Sequence, residues 1–268
     1  MDGLLPEVSV RGIGLCGPGF TDWTQGQVLL SQPPGWTSAP TVLAAPARLA
    51  PTERRRAGAV VKLSFAVADQ ACAQAGADVH TLATVFSSTG ADSANCHAMC
   101  EALAQAERLV SPTRFTNSVH NAAAGYWHIA TQSRAPSTSL CAYDGSFAAG
   151  LLEAVAQVQS LKRPVLLVAA DVPYPEPLNG KRPLPDAFGI ALLLDPDASA
   201  GIASLRIGLQ ADGASPTACA HEGLESLRRS IPAARGLPLL ACLAGGAGGC
   251  VDIDYLDGLA LRVQIGRR

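Results

Sequence analysis

Charge and aromatic surface are both scarce in this chain. Only 16% of its 268 residues are charged, the formal net charge is -2, and aromatics make up 5%. A balance so near neutral gives no electrostatic case for nucleic acid or for an anionic membrane surface. No apolar run reaches the roughly 20 residues that a bilayer span requires. The start, MDGLLPEVSVRGIGL, lacks the basic stretch and apolar core of a signal peptide. A cytoplasmic location follows, and the eight cysteines read as small apolar residues in a reducing compartment rather than as disulfides. Cys96, His97 and Cys100 lack a second ligand pair at a zinc-ribbon spacing, so no metal is expected. Internal repeats, low-complexity tracts and charge runs are also missing.

What is present is 48% hydrophobic residues with abundant Ala and Gly, enough for a large buried core. Residues 8–15 alternate as a strand, and 16–51, rich in Pro, Gly and Trp, read as a long irregular excursion. Thr52 is placed to cap a helix running to residue 75, with Gly76 as its stop. A strand over 80–87, a turn at 88–90 and a helix over 92–110 follow, and Pro112 opens a loop. Next come a helix over 122–131, a strand over 137–140 and a helix over 147–161. The run VLLVAADV after Pro164 has the composition of a strand covered on both faces. Five prolines make 173–185 a loop before a buried strand at 188–194. Beyond it the patterns are weaker: strands over 202–209, 237–243 and 258–265, and a helix over 222–231. Strands alternating with helices indicate a single α/β domain, 1–268, with a mixed sheet and helices on both faces.

The most informative stretch is 115–154, FTNSVHNAAAGYWHIATQSRAPSTSLCAYDGSFAAGLLEA. It reads as loop, helix, strand, tight turn, helix, the way several acyl-transfer enzymes present a nucleophile. Around it, RRRAGAVVKLSFAVADQACAQAG, TLATVFSSTG, RPVLLVAADV and RPLPDAFGIALLL stand in family order. Together these segments resemble the N-terminal half of a β-ketoacyl synthase, over about 8–194, with 195–268 divergent. The resemblance implies a thiolase-like half-fold, truncated relative to a two-half synthase.

In that family the nucleophilic cysteine is followed by an aliphatic residue seven positions on and an alanine ten positions on. Leu151 and Ala154 place this slot at Asp144. With Cys141 in the slot the same positions would be Ala148 and Leu151, which fits only with a three-residue insertion. A carboxylate cannot take up an acyl group as a thioester, and Asp144 reads instead as a helix N-cap. The family's two catalytic histidines have no counterpart, since His221 is the single histidine after Asp195. His120 reads as a loop or interface residue and His128 as a helix-face residue.

The resemblance thus narrows to the chain-length-factor class, non-catalytic subunits paired with an active β-ketoacyl-ACP synthase, and to the short members of aryl-polyene and xanthomonadin-type pathways. It implies a heterodimer, indirect contact with acyl carrier protein, no cofactor, and interface or binding positions at Asn117, His120, Asn121, Ser137, Thr138, Ser139, Leu140 and Phe147. The alternative is an enzyme: a Cys141-dependent acyltransferase or thioester hydrolase acting on acyl-ACP or acyl-CoA, with His120 or His128 as its base.

Overall fold

The computed structural model describes residues 4–197, 199, 201–211, 215–246 and 248–267. In chain order its elements are β1 (Val8–Cys16), α1 (Trp23–Ser31), α2 (Pro51–Arg56), α3 (Ala59–Ala75), β2 (Ala83–Ser87), α4 (Ser93–Ala104), α5 (Pro112–Asn117), α6 (Ala122–Thr131), β3 (Ser137–Leu140) and α7 (Ser146–Leu161). They continue with β4 (Val165–Asp171), α8 (Leu178–Lys181), β5 (Phe188–Asp195), β6 (Ala203–Ala211), α9 (Glu222–Ser230), α10 (Leu237–Gly245), β7 (Gly249–Leu256) and β8 (Leu259–Gly266).

Among the described residues the strands form one mixed sheet in the order β3-β2-β4-β5-β1-β6-β8-β7. β2 runs parallel to β3 and β4, and every other pairing is antiparallel. The central strands β4 and β5 are buried at every position, as their unbroken apolar sequences require. One face carries α1, α7, α9 and α10, the other α3 and α6, and each face has its own apolar core. Contact is closest at β1, where a Cβ on Gly12 or Gly14 would stand 2.0 Å from the Ala71 carbonyl oxygen or 1.9 Å from that of Val67. α3 therefore lies backbone against backbone on this strand. β6 pairs with β1 only over Val8–Val10. Further along, the Gln74 and Gln70 side chains take over, accepting the N–H groups of Ile13 (2.8 Å) and Leu15 (2.9 Å).

Several elements differ from the expectations, each for a local reason. The excursion over 16–51 contains α1, whose N-cap Asp22 accepts from the Gln25 N–H and which buries Trp23 and Leu30. The helix expected over 52–75 is two helices, with Pro51 rather than Thr52 opening the first. Between them, Gly58 meets the Asp92 carboxylate too closely for a Cβ (2.3 Å). Gly76 ends α3 in the left-handed conformation, as expected. α4 stops at Ala104, short of residue 110, and the loops expected at Pro112 and within 173–185 contain the short helices α5 and α8.

The largest correction is 237–243, expected as a strand and found as α10. This apolar run is too short to separate strand from helix by periodicity, and Pro238 in its first turn suits a helix start. The strand of this region is β7. No helix of the described residues is long and apolar enough to cross a membrane.

Candidate functional site

β3 leads into a tight turn over Tyr143–Gly145 from which α7 starts. Tyr143 takes φ 51°, a left-handed conformation a tyrosine adopts only when its surroundings hold it there. Gly145 lies against the β7 backbone, where a Cβ would sit 2.3 Å from the Tyr255 carbonyl oxygen. The Ser146 hydroxyl closes the turn, accepting from the Ala142 N–H (3.0 Å) and donating to the Tyr143 carbonyl (2.7 Å).

Asp144 does not cap α7; the N-cap is Gly145, with no side-chain bond. Its carboxylate is held instead by two arginines absent from the sequence-based expectations. Arg182, just past α8, donates to Oδ1, and Arg235 stands 3.4 Å from Oδ2. Arg182 also stacks on the Tyr143 ring at 3.6 Å and donates to the Tyr174 hydroxyl at 2.9 Å. One guanidinium thus binds the turn to the proline-rich loop. Beside the turn lies an open cavity of about 620 Å³, lined by Asp144, Arg235, Asp254 and Tyr255 among others.

Behind the turn, Asp171 at the end of β4 is fully enclosed. It accepts from the Thr89 N–H (2.6 Å), the Ser88 hydroxyl (3.3 Å) and the Ala233 N–H (2.8 Å). Burial pushes its pKa up to about 6, against the pull of these bonds and of Arg182. By binding Ala233 it fixes the short helical turn Pro232–Gly236 that carries Arg235. The signal for Asp171 was legible as the single charge in VLLVAAD. Arg182 and Arg235 lie in proline- and glycine-containing segments with no periodicity to single them out.

Cys141 follows β3 directly and is exposed. The His120 Nε2 meets its sulfur at 2.6 Å. Burial, followed by the charge of Asp171, raises the Cys141 pKa. His120 borders an open groove of about 440 Å³ with Asn121, Ala124, Gly125, His128, Ser137 and Ser139. Gly125 leaves open space above α6, since nothing stands within 4 Å of where its Cβ would be.

The remaining candidates divide between edge and interior. Ser137, Thr138, Ser139 and Leu140 form β3, an edge of the sheet. The Pro136 and Leu140 carbonyls turn toward β2, accepting from Thr84 and Ser88. Strand alternation then leaves the backbone groups of Ser137 and Ser139 pointing outward. Thr138 turns its hydroxyl inward to accept from Gln157. Asn117 bonds the Arg56 carbonyl and the Tyr126 hydroxyl inside the fold, and Phe147 is fully buried.

His128 bonds Thr84 (2.9 Å) and the Ser133 carbonyl (3.1 Å). His221 caps α9 through Nδ1 and packs on Trp36 at 5.2 Å. Among the described residues, no group of His, Cys, Asp and Glu is arranged to hold a metal ion.

The family model described as "Beta-ketoacyl synthase, N-terminal domain" matches residues 23–230. Among solved structures, a ketosynthase in complex with its chain length factor from Xenorhabdus doucetiae is similar at 19% identity and a TM-score of 0.74. The match covers 97% of this chain and 100% of that one. The ishigamide ketosynthase/chain length factor is similar at 12% identity and a TM-score of 0.71, over 98% and 99% of the two chains. A type II polyketide acyl-carrier protein in complex with its ketosynthase bound to the hexaketide is similar at 10% identity and a TM-score of 0.73, over 98% and 99%. At these identities the likeness shows the fold. No curated protein sequence matches the chain. The chain belongs to the β-ketoacyl synthase N-terminal-domain family and has its thiolase-like half-fold.

Proposed function

We propose that residues 1–268 form a cytoplasmic, chain-length-factor-like subunit. It performs no condensation itself and pairs with an active β-ketoacyl-ACP synthase of a polyene-type pathway, the aryl-polyene class foremost. It stabilises that partner and helps shape the pocket for the growing acyl chain, meeting acyl carrier protein only through the complex. The observation carrying this reading is the turn at Tyr143–Gly145. Where the family resemblance puts the nucleophile stands Asp144, its carboxylate held by Arg182 and Arg235. A carboxylate neutralised in this way neither forms a thioester nor serves as a free base.

His221, the single histidine after Asp195, is occupied with capping α9, which supports the same reading. The docking strand is β3. Its outward Ser137 and Ser139 backbone groups suit an added antiparallel strand, and small side chains let two backbones approach. α6 and the segment before it also leave Phe115, Val119 and Ile129 exposed by 67, 50 and 66%.

The test is co-expression with an aryl-polyene-class ketosynthase, followed by size-exclusion chromatography with light scattering. A 1:1 complex is expected, with condensation dependent on the ketosynthase's own cysteine and unchanged by Asp144→Ala. A stable monomer that binds no such ketosynthase overturns the reading.

A further inference from the structure

We infer that the partner's docking strand carries an arginine opposite Thr138, whose guanidinium closes on the Glu153 carboxylate beside the β3 edge. The inference rests on the pairing proposed above and specifies the chemistry of the surface that fits it.

Three observations carry it. First, Glu153 is a half-buried carboxylate on α7, and it belongs to none of the ion pairs among the described residues. Its bond comes from the Gln157 side-chain amide at 2.7 Å. Second, Gln157 Nε2 donates to Glu153 and to the Thr138 hydroxyl at 2.8 Å, while its Oε1 is enclosed and meets no donor. A carboxylate without a cation and an amide oxygen without a donor thus stand side by side. Third, they stand at the open edge. Thr138 turns its hydroxyl to α7, and strand alternation turns its backbone groups toward β2. An antiparallel strand laid on β3 therefore meets Thr138 in a non-hydrogen-bonded pair, where opposed side chains come closest, with Cβ atoms about 4.5–5.5 Å apart.

Covering this edge takes water away from Glu153, and a desolvated carboxylate without a counter-charge is strongly destabilising. An arginine on the incoming strand supplies the missing group. Its planar fork offers one N–H to the Glu153 carboxylate and another to Gln157 Oε1 once that amide tilts, which a single ammonium matches less well. A second copy of this chain does not supply the cation. The side chains that β3 turns to the α7 side are Thr138, bonded to Gln157, and Leu140, packed against that core. Arg134 precedes Thr138 by four residues, roughly 13 Å of extended chain. Two copies would cover two carboxylates with no cation between them, so the feature that admits the ketosynthase disfavours self-pairing.

The experiment is titration calorimetry of the full chain against the aryl-polyene-class ketosynthase, with variants on both sides. Glu153→Gln keeps an oxygen to accept from Gln157 and removes only the charge. It should weaken binding about 30-fold, as loss of one member of a covered charge pair does, with the chain's own urea midpoint unchanged. Glu222→Gln, exposed on α9, should leave binding unchanged. Changing the partner's arginine to methionine should weaken binding by a similar factor, and combining it with Glu153→Gln should add little, as for a coupled pair. A 1:1 complex whose affinity is indifferent to Glu153→Gln overturns the inference and leaves the pairing reading standing. So do fully additive losses in the double variant, or a partner strand with no cation opposite Thr138. A wild-type chain that self-associates through β3 more tightly than it binds the ketosynthase also overturns it. Absence of any complex overturns the pairing reading, and this inference with it.

Discussion

The two edges of the sheet are finished in opposite ways. At β7 the edge is covered: the Thr217 N–H donates to the Asp252 carbonyl at 2.8 Å, and the Asp252 N–H donates back to the Thr217 hydroxyl at 2.9 Å. Asp252 and Arg262 add a two-bond ion pair across β7 and β8. These are the usual protections of an edge that must stay unpaired. At β3 there is Ser-Thr-Ser-Leu, an uncharged edge strand whose outward Ser137 and Ser139 backbone groups take no backbone partner among the described residues. A bare edge invites aggregation unless another strand is meant to lie there, and the contrast supports the proposal that β3 is the strand kept for a partner. Between the edges, Asp171 ties the turn after β2 to the turn carrying Arg235.

The largest effect should come from Ser139→Pro. Its N–H points away from β2, so the substitution spares the internal ladder and removes an outward donor. Binding to the ketosynthase, measured by titration calorimetry, should weaken by about 100-fold, the equivalent of roughly 3 kcal/mol. The chain's own urea midpoint should change little. A large loss of stability with binding intact would erase the distinction between the edges.

Next in size is the pH dependence set by Asp171, whose pKa rises from 3.8 to about 6 in the fold. The folded state then holds this proton more tightly than the unfolded chain. The stability it contributes is present below the unfolded value and is lost as pH rises through about 6, by up to about 3 kcal/mol. Urea unfolding of wild type and Asp171→Asn between pH 4 and 7 checks this. The difference between the two should tilt against wild type as pH rises; a constant difference contradicts it.

At the covered edge, Thr217→Val strips the acceptor from the Asp252 N–H and should cost about 1–2 kcal/mol of stability, with ketosynthase affinity unchanged. Smallest is Arg182→Ala. Asp144 is 44% exposed in its side chain, so the ion pair is screened and contributes about 1 kcal/mol or less. Thermal unfolding should show a shift of that size, and Tyr143 should lose its fixed environment in near-ultraviolet circular dichroism.

The family-like part was legible because its signals are local and strong. α6 and β3 fall where the residues placed them, and the apolar runs of β4 and β5 announce strands buried on both faces. The stretch after β6 was not. LPLLACLAG is apolar all round, so neither period stands out, and its identity is settled by packing against α1. The proposal that the family nucleophile slot falls at Asp144 rather than Cys141 rests on the spacing to Leu151 and Ala154. The arginines that hold Asp144 arrive from 38 and 91 positions away in sequence, a convergence that only the fold creates. The contact between His120 and Cys141 spans 21 residues and depends on α6 folding back over the β3 edge.

The most direct test is hydrogen exchange at single-residue resolution on the chain alone and with its ketosynthase. The account predicts that the Ser137 and Ser139 amides, open in the chain alone, become protected in the complex while the amides of β7 keep their rates. Protection gained at β7, or unchanged rates at Ser137 and Ser139 in a complex that demonstrably forms, would contradict it.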